Sequence, residues 1–270
     1  MSAVMRRVLF ATVLAAAVAV LAGGLDGGEP ARAQAPTSAA DAAAFLAGTT
    51  KDCPGCDLAG AQLKRRNLAG ANLAGAHLKE ASFHRAVLRG ANLSGADLTR
   101  ANLNKTDLIQ ADLSNAKLSE AMLFEADASR ADFSRADLTE ALMGSIRLLA
   151  GKLDRANLTE ADLEAAQLND ASLVNARLDG ANLHQGRLLR ANLQGVVGES
   201  VEFTQAVLRD ARLGSALLRA SVFYLADLGG ADLSMADLSR SILRSAKLDN
   251  TNQAGTILTG AMMPDNSIHP

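Results

Sequence analysis

The stretch ANLSGADLTRANL, residues 91–103, has a five-residue period that decides the fold. Each period holds Ala, then Asp or Asn, then Leu, then two variable residues. The Leu place, here called the core position, recurs every five residues from Leu58 to Met263 without an insertion. The place two residues before it, usually Ala, is called the small position. The 270-residue chain is therefore a repeat array, for which length gives no count of ordinary domains.

Neither regular secondary structure can bury this pattern. An α-helix turns about 100° per residue, so leucines five residues apart would spread around its surface. A strand alternates its faces at every residue, so successive leucines would point to opposite sides. The period therefore predicts a chain that turns a corner about every five residues and points each Leu and its small neighbour inward. The sequence has no Trp and one Tyr, which also indicates an aliphatic interior.

Over residues 56–263 the pattern A-[DN]-L-x-x resembles the pentapeptide-repeat family. The resemblance implies an all-β fold, a right-handed quadrilateral β-helix with four pentapeptides per coil. It places a solenoid of about ten coils at residues 53–263, with residues twenty apart stacked at about 4.8 Å. Side chains on the outside of such a solenoid form rows that follow from residue numbers.

Three positions depart from the repeat. Arg66 occupies a small position in the first coil, so we expect it to reach solvent or the helix that caps this coil. Gly198 leaves a core position empty, and Phe203 in the next repeat is expected to compensate. Ala128 and Phe133 form a similar pair of a small and a large core residue.

The first 33 residues have the pattern of a signal peptide. Arg6 and Arg7 precede an apolar run, residues 8–22, and Ala31-Arg32-Ala33 is an A-x-A cleavage site. An uncleaved anchor is the alternative, but the run has about fifteen residues where a membrane span needs about twenty. The sequence therefore predicts export to the periplasm or cell envelope of a bacterium, with no transmembrane domain after cleavage.

Residues 34–52 are predicted to form a leader and a capping α-helix. Ser38 and Asp41 have the spacing of a capping box, and Gly48 is suited to end the helix. Phe45 and Leu46 would pack on the open first coil. Residues 264–270 are predicted to form a C-terminal tail.

The charge of the chain gives little support to nucleic-acid functions. Cleavage after residue 33 removes three arginines and two acidic residues, so the net charge changes from −2 to −3. A nearly neutral chain indicates neither a polyanion-binding protein nor a strongly acidic mimic of nucleic acid. Nucleic acid is therefore not an expected partner.

Cys53 and Cys56 are the only cysteines, and they stand in a CPGC motif where the first coil begins. In an exported chain this spacing favours a local disulfide. A thiol redox role is an alternative, although no βαβ context surrounds the motif. A zinc site is another, for which His77 or His84 would have to supply further ligands.

Two rows of side chains are candidate interaction patches. Glu120, Glu140 and Glu160 form an acidic row that could bind Ca²⁺ or a basic partner, or stand as a solvated acidic ladder. The second row is apolar and lies near the C-terminus. Packing of the tail and self-association are both open interpretations of this second row. Its members are Val222, Ile242 and Met262, flanked by Tyr224 and Leu225.

A third, basic group lies near the N-terminal end of the same side as the apolar row. It either contacts a polyanion or a lipid headgroup or is a solvated charged surface, and it lacks the interleaved aromatic residues typical of single-strand binding. Its residues are Lys64, Arg65, Arg85 and Lys105, with His84.

The sequence contains no nucleophile motif and no Gly-rich phosphate loop. We therefore expect no catalytic residues, no cofactor and no metal. The predicted function is a non-enzymatic exported scaffold or protein-interaction module, with an unidentified protein partner. The alternatives are a gyrase-binding DNA mimic, as known in this family, and a thiol redox protein acting through Cys53 and Cys56.

Overall fold

The structure is a computed structural model that describes residues 38–270. The predicted signal peptide, residues 1–33, and the first leader residues, 34–37, lie outside the described residues. Within residues 38–270 there is one α-helix, α1 (Ala39–Ala47), followed by a long series of turns and single-residue β-bridges. No helix in this part of the chain has the length and apolarity needed to cross a bilayer.

Parallel β-bridges join residues that are twenty apart along the whole array. The series begins with Asp57 and His77 and ends with Ile242 and Met262. Each bridge involves only the residue before a core position, so the sides of the coil are isolated bridges and not longer strands. One bridge falls in every five-residue repeat, which gives a coil of twenty residues with four sides.

Each corner is a turn in which the second residue after the core position is left-handed. This residue has a positive φ at every fifth position from Gly55 to Gly260. The N–H of the following small residue donates to the core carbonyl, as in Ala71 to Leu68 at 3.0 Å. A positive φ at this place alone identifies a type II turn. The left-handed position repeats without a break and produces the five-residue period.

The Asp or Asn before each core Leu holds the corner in place. Asp97 Oδ1 accepts hydrogen bonds from the N–H of Thr99 at 3.1 Å and from its Oγ1 at 2.6 Å. Asn92 Oδ1 accepts from Ser94 in the same way. This is an Asx turn, and Asn offers the same oxygen acceptor as Asp. The alternation of Asp and Asn in the repeat therefore has a structural cause.

Leu at the core positions and Ala at the small positions are buried along the axis, and each buried Leu contributes about 1.5–3 kcal/mol. At Gly198 the neighbouring Val201 fills the gap, because its Cγ2 lies 2.6 Å from where a Cβ of Gly198 would stand. Phe203 also stacks on Phe223 with ring centroids 4.9 Å apart. The missing leucine is thus replaced by Val201 as well as by the predicted Phe203.

Helix α1 covers the N-terminal end of the coil. Ser38 and Asp41 form the capping box, with Asp41 Oδ2 accepting from the Ser38 N–H at 2.8 Å, and Gly48 ends the helix at φ 79°. Phe45 is fully buried in the core cluster of the first coils, whereas Leu46 is 50% exposed. Only one of the two predicted apolar contacts is therefore made.

The C-terminal tail folds back as a hairpin on one side of the last coil. Ile268 forms an antiparallel bridge with Met262, and the N–H of Met263 donates to Ser267 at 2.8 Å. In the last coil, before Leu258 and Met263, the core position is taken by Gln253, which is exposed and donates to Thr251 Oγ1 at 2.7 Å. A polar side chain thus stands where another Leu would face solvent.

Candidate functional site

The four sides of the coil locate every outward residue. We number them in chain order: side 1 carries the series that begins with Asp57, side 2 that of Gln62, side 3 that of Asn67 and side 4 that of Asn72. Sides 1 and 2 share a corner, and side 4 lies opposite side 2. The three groups of residues predicted to be functional lie on side 2 or on the corners that bound it.

The apolar row on side 2 is longer than the sequence indicated. Val222, Ile242 and Met262 are joined by successive bridges, and Ile268 of the tail is bridged to Met262, so it adds a fourth rung. Ile242 is 37% exposed and Ile268 60% exposed. The tail therefore extends the row and leaves its outer surface open.

Tyr224 and Leu225 occupy the corner beside this row. The guanidinium of Arg244 lies 5.8 Å from the centre of the Tyr224 ring. Leu225 is exposed although its φ is 58°, a left-handed conformation that disfavours a leucine. An exposed leucine in a strained turn contributes nothing to the core, which makes it a candidate contact residue.

Side 1 carries a second group of exposed apolar residues, which sequence reasoning missed. Val197, Leu217 and Ile257 are all exposed at outward positions of this side. Asp237 interrupts the series, but it is buried and forms an ion pair with Arg219 at 2.6 Å. A cleft of about 140 Å³ is lined in part by Val197, Leu217 and Arg219. The apolar residues recur at multiples of twenty, which was the available signal.

Buried hydroxyl groups modify the corner between these two sides. The N–H of Val201 donates to Ser221 Oγ, and the N–H of Ser221 donates to Ser241 Oγ, each at 3.2 Å. Ser241 Oγ in turn donates to the carbonyl of Leu218 at 2.9 Å. At Val201 and Ser221 these bonds replace the usual turn bond from the N–H of the small residue to the core carbonyl, and both residues lie directly behind the apolar residues. We name the exposed apolar residues of sides 1 and 2, of the corner between sides 2 and 3 and of the tail the C-terminal apolar surface: Val197, Leu217, Val222, Tyr224, Leu225, Ile242, Ile257, Met262 and Ile268.

The acidic row has no metal-binding geometry. Glu120, Glu140 and Glu160 are exposed and occupy the left-handed turn position of three successive coils. Asp137 lies nearby, but its oxygens accept hydrogen bonds from Ser119 Oγ at 2.8 Å and from the Asx turn. Residues 38–270 contain no group of three or more His, Cys, Asp or Glu arranged to hold a metal ion.

The pKa of Asp137 shows how an Asx-turn carboxylate stabilises the fold. Partial burial alone would raise the pKa of Asp137, but hydrogen bonds from Thr139, Ser119 and Asn157 outweigh it and hold the pKa below its usual value. Asp137 Oδ1 accepts a hydrogen bond of 2.6 Å from Thr139 Oγ1 and one of 3.3 Å from Asn157 Nδ2. The ionised form is therefore the one that stabilises the corner.

The basic group lies on the corner between sides 2 and 3, at the end nearest α1. Lys64, Arg65 and Arg85 are exposed and form no ion pair with any residue in the described range 38–270. Lys105 pairs with Glu125 at 3.2 Å. The structure brings these four cations together in three successive coils.

Cys53 and Cys56 lie at the start of the first coil, with their Cα atoms 5.4 Å apart and their sulfur atoms in contact. Both side chains are buried in the core. His77 is exposed at an outward position of side 1, and His84 lies on the corner between sides 2 and 3. Neither histidine therefore converges with the two sulfurs.

A family model described as "Pentapeptide repeats" matches the chain in eight copies. The matched residues cover more than half of the chain and are 56–95, 67–104, 101–139, 156–195 and 221–260. None of the curated protein sequences compared with the chain matches it.

Several solved structures are similar to the chain. HetL, a pentapeptide repeat protein involved in heterocyst differentiation regulation from the cyanobacterium Nostoc sp. strain PCC 7120, is 28% identical, with 84% of this chain and 98% of that chain covered and a TM-score of 0.56. QnrB1, a plasmid-mediated fluoroquinolone resistance protein, is 16% identical, with coverages of 74% and 91% and a TM-score of 0.36. A thylakoid-lumen pentapeptide repeat protein of Arabidopsis thaliana is 26% identical, with coverages of 44% and 73% and a TM-score of 0.21.

Proposed function

The chain belongs to the pentapeptide-repeat family, and from this premise we propose that it is a non-enzymatic, exported scaffold that binds a protein through its C-terminal apolar surface. Solved members of the family imply a right-handed quadrilateral β-helix, and the twenty-residue, four-sided coil fits that fold. Family proteins serve as structural or interaction modules. The partner proposed here is another protein, with a second copy of this chain as one candidate.

The observation that carries the proposal is the uneven distribution of exposed apolar side chains. Of eleven large hydrophobic residues exposed in the described range, eight lie at or beyond Val197, and seven of these eight belong to the C-terminal apolar surface. Apolar side chains that cluster on one end of a soluble protein are typical of a protein contact. The regular coil positions these side chains in advance, which lowers the entropy lost on binding.

Export is proposed from the signal-peptide pattern of residues 1–33, and the cysteines support it. A local disulfide between Cys53 and Cys56 agrees with an oxidising compartment, and we propose that it closes the first turn of the coil, at the junction with the segment that follows α1. Because both cysteines are buried, the thiol redox alternative is less favoured than a structural role.

The DNA-mimic alternative is less favoured. Its strongest support is the acidic row, which Asp179 and Glu199 continue along the same corner. These two carboxylates, however, form ion pairs with Arg177 and Arg240. The net charge near −3 after cleavage also argues against a polyanion-like surface.

Sedimentation and thermal unfolding of a charged variant test the contact surface. Ile242→Asp, with Tyr224→Asp as a second variant, should abolish self-association or capture of the partner while melting stays close to wild type. The matched control is Arg212→Asp, at an exposed outward position on the opposite side 4. Equal complex formation by Ile242→Asp and wild type would refute the proposed surface.

Cell fractionation followed by intact-mass measurement tests the location. The proposal predicts a periplasmic or envelope-associated protein whose mass lacks residues 1–33. A cytoplasmic protein that carries these residues would overturn the export part of the proposal, whatever the outcome for the apolar surface.

A further inference from the structure

The middle of side 2 carries a further apolar group, five coils before the C-terminal apolar surface. Met122 and Leu142 are bridged to each other on this side, and Leu142 is 50% exposed. Phe124, on the corner between sides 2 and 3, is 45% exposed. Five coils correspond to about 24 Å along the rod. Each of the three residues stands 100 positions before its counterpart near the C-terminus, and the counterparts are Val222, Ile242 and Tyr224.

A cleft of about 220 Å³ opens beside Phe124, where residue 144 is a glycine. The aromatic ring lies over this glycine, because a Cβ added to Gly144 would stand 3.3 Å from Phe124 Cδ2. Glu164 follows in the same row, twenty residues after Gly144, so the ring and the carboxylate flank the glycine. The cleft is lined by Phe124, Gly144, Ser145, Asp162, Glu164 and Ala165.

The two carboxylates give the cleft a negative charge. Glu164 is exposed and forms no ion pair with any residue in the described range 38–270. Asp162 is held in place, since its Oδ1 accepts hydrogen bonds from the N–H of Glu164 at 3.1 Å and from Asn182 Nδ2 at 2.9 Å. Lys105, in the adjacent row of this corner, is paired with Glu125 at 3.2 Å. The lining of the cleft therefore combines an aromatic ring and two carboxylates with no cation.

The C-terminal group shows how the chain itself fills the equivalent place. Tyr224 corresponds to Phe124, and the residue twenty positions after Tyr224 is Arg244, whose guanidinium lies 5.8 Å from the centre of the ring. A cation over an aromatic face is attracted by the charge distribution of the ring. The residue twenty positions after Phe124 is Gly144, which cannot supply this cation.

We propose that the cleft receives an arginine or lysine side chain of a protein partner, with its methylene stem along Phe124 and its charged group at Glu164 and Asp162. Such side chains suit this composition, because the stem packs on apolar surface while the charged group stays with the carboxylates. A partner that carries this basic residue could extend along side 2 to the C-terminal apolar surface. The inference rests on the proposed function only in taking the partner to be a protein, and a defined peptide tests the cleft separately.

The test is a chemical-shift titration of the isolated protein with a short alanine peptide that has one central arginine. The amide resonances of Gly144 and Ala165 should shift in a saturable manner. The same peptide with citrulline in place of arginine has no charge and should leave them unchanged. Glu164→Gln should weaken binding of the arginine peptide by roughly two- to fivefold, as for an exposed charge pair of about 0.5–1 kcal/mol. Phe124→Leu keeps an apolar side chain but removes the ring, so it should also weaken binding.

Gly144→Arg is the most informative variant, because its arginine should lie over Phe124 as Arg244 lies over Tyr224 and block the cleft. Gly144 is not among the left-handed residues, so its backbone accepts a side chain. Ala59→Arg, exposed at the same turn position in the first coil, adds the same charge elsewhere and is the matched control. Peptide binding should be lost in Gly144→Arg and kept in Ala59→Arg. Equal shifts with the arginine and citrulline peptides, or unchanged binding in both Gly144→Arg and Glu164→Gln, would overturn the proposal.

Discussion

The guanidinium of Arg66 donates a hydrogen bond of 2.8 Å to the carbonyl oxygen of Phe45, and it also lies 5.0 Å from the centre of the Phe45 ring. An arginine at a small position would be a defect inside the rod. In the first coil it instead donates to the carbonyls of Phe45 and Leu46 at the end of α1, and the Phe45 carbonyl also accepts the N–H of Gly48 at 3.0 Å. The residue that breaks the repeat thereby attaches the cap.

Replacing this arginine should loosen the cap and leave the rod intact. In Arg66→Ala the alanine suits the coil, but α1 loses its anchoring hydrogen bonds and the cation–π contact. Hydrogen exchange should show faster exchange for the α1 amides and unchanged protection in the middle of the array. Arg85→Ala, an exposed arginine nearby, is the control. Unchanged α1 protection in Arg66→Ala would show that the contact does not hold the helix.

The cysteine pair should be oxidised in the isolated protein. We expect no reactive thiol without reductant, and the Cys53→Ser/Cys56→Ser variant should lose about 2 kcal/mol of stability, because the closed loop is short. Thiol titration and thermal unfolding measure the two effects. Two thiols that react without reductant would exclude the disulfide.

The Asx-turn carboxylates should make the fold sensitive to acid. Because the pKa of Asp137 is lowered in the folded chain, its stabilising effect is present above the unfolded value of about 3.9 and is lost as pH falls through the folded pKa. Wild type should therefore melt at lower temperature below about pH 4.

Two variants separate the charge of Asp137 from its role as an acceptor. Asp137→Asn keeps an oxygen acceptor for Thr139, so its melting temperature should approach that of wild type as pH falls. Asp137→Ala removes both the charge and the acceptor, so it should lose about 1 kcal/mol or more at neutral pH, and this deficit should narrow as wild type itself loses stability at acid pH. Parallel melting curves for wild type and Asp137→Asn from neutral to acid pH would contradict the pKa argument.

A charge at a core position should disrupt the rod locally. Leu113 is fully buried, so Leu113→Asp removes about 1.5–3 kcal/mol of burial and adds the cost of an unpaired polar group. Circular dichroism and thermal unfolding should show a large loss. Ser114→Asp, at the adjacent outward turn position, should melt like wild type, and equal melting of both variants would contradict the inward assignment of Leu113.

The fold could be predicted from the sequence because the five-residue pattern is regular and local. The spacing of Leu and Ala, as in residues 91–103, was enough to predict corners, inward positions and rows twenty residues apart, and the family match agrees. The role of Asp97 and Asn92 as turn acceptors was missed, since it depends on an oxygen-to-amide geometry that periodicity does not show. The replacement of a core leucine by Val201 was missed for a similar reason.

The candidate surface was predicted only in part. The row of Val222, Ile242 and Met262 followed from numbering, whereas its extension by Ile268 depends on an antiparallel hairpin that lies outside the repeat. Side 1 was overlooked because Asp237 interrupts its apolar series, and only the structure shows that this carboxylate is buried against Arg219.

Photocrosslinking in intact cells tests the proposed scaffold function most directly. A photoreactive residue at Ile242 should give a discrete crosslinked species with a protein of the periplasm or envelope or with a second copy of the chain, identified by mass spectrometry. The same residue at Arg212, on the opposite side of the rod, should give none. Crosslinks of equal yield from both positions, or none from position 242 in cells that express the protein normally, would contradict the C-terminal apolar surface as the site of function.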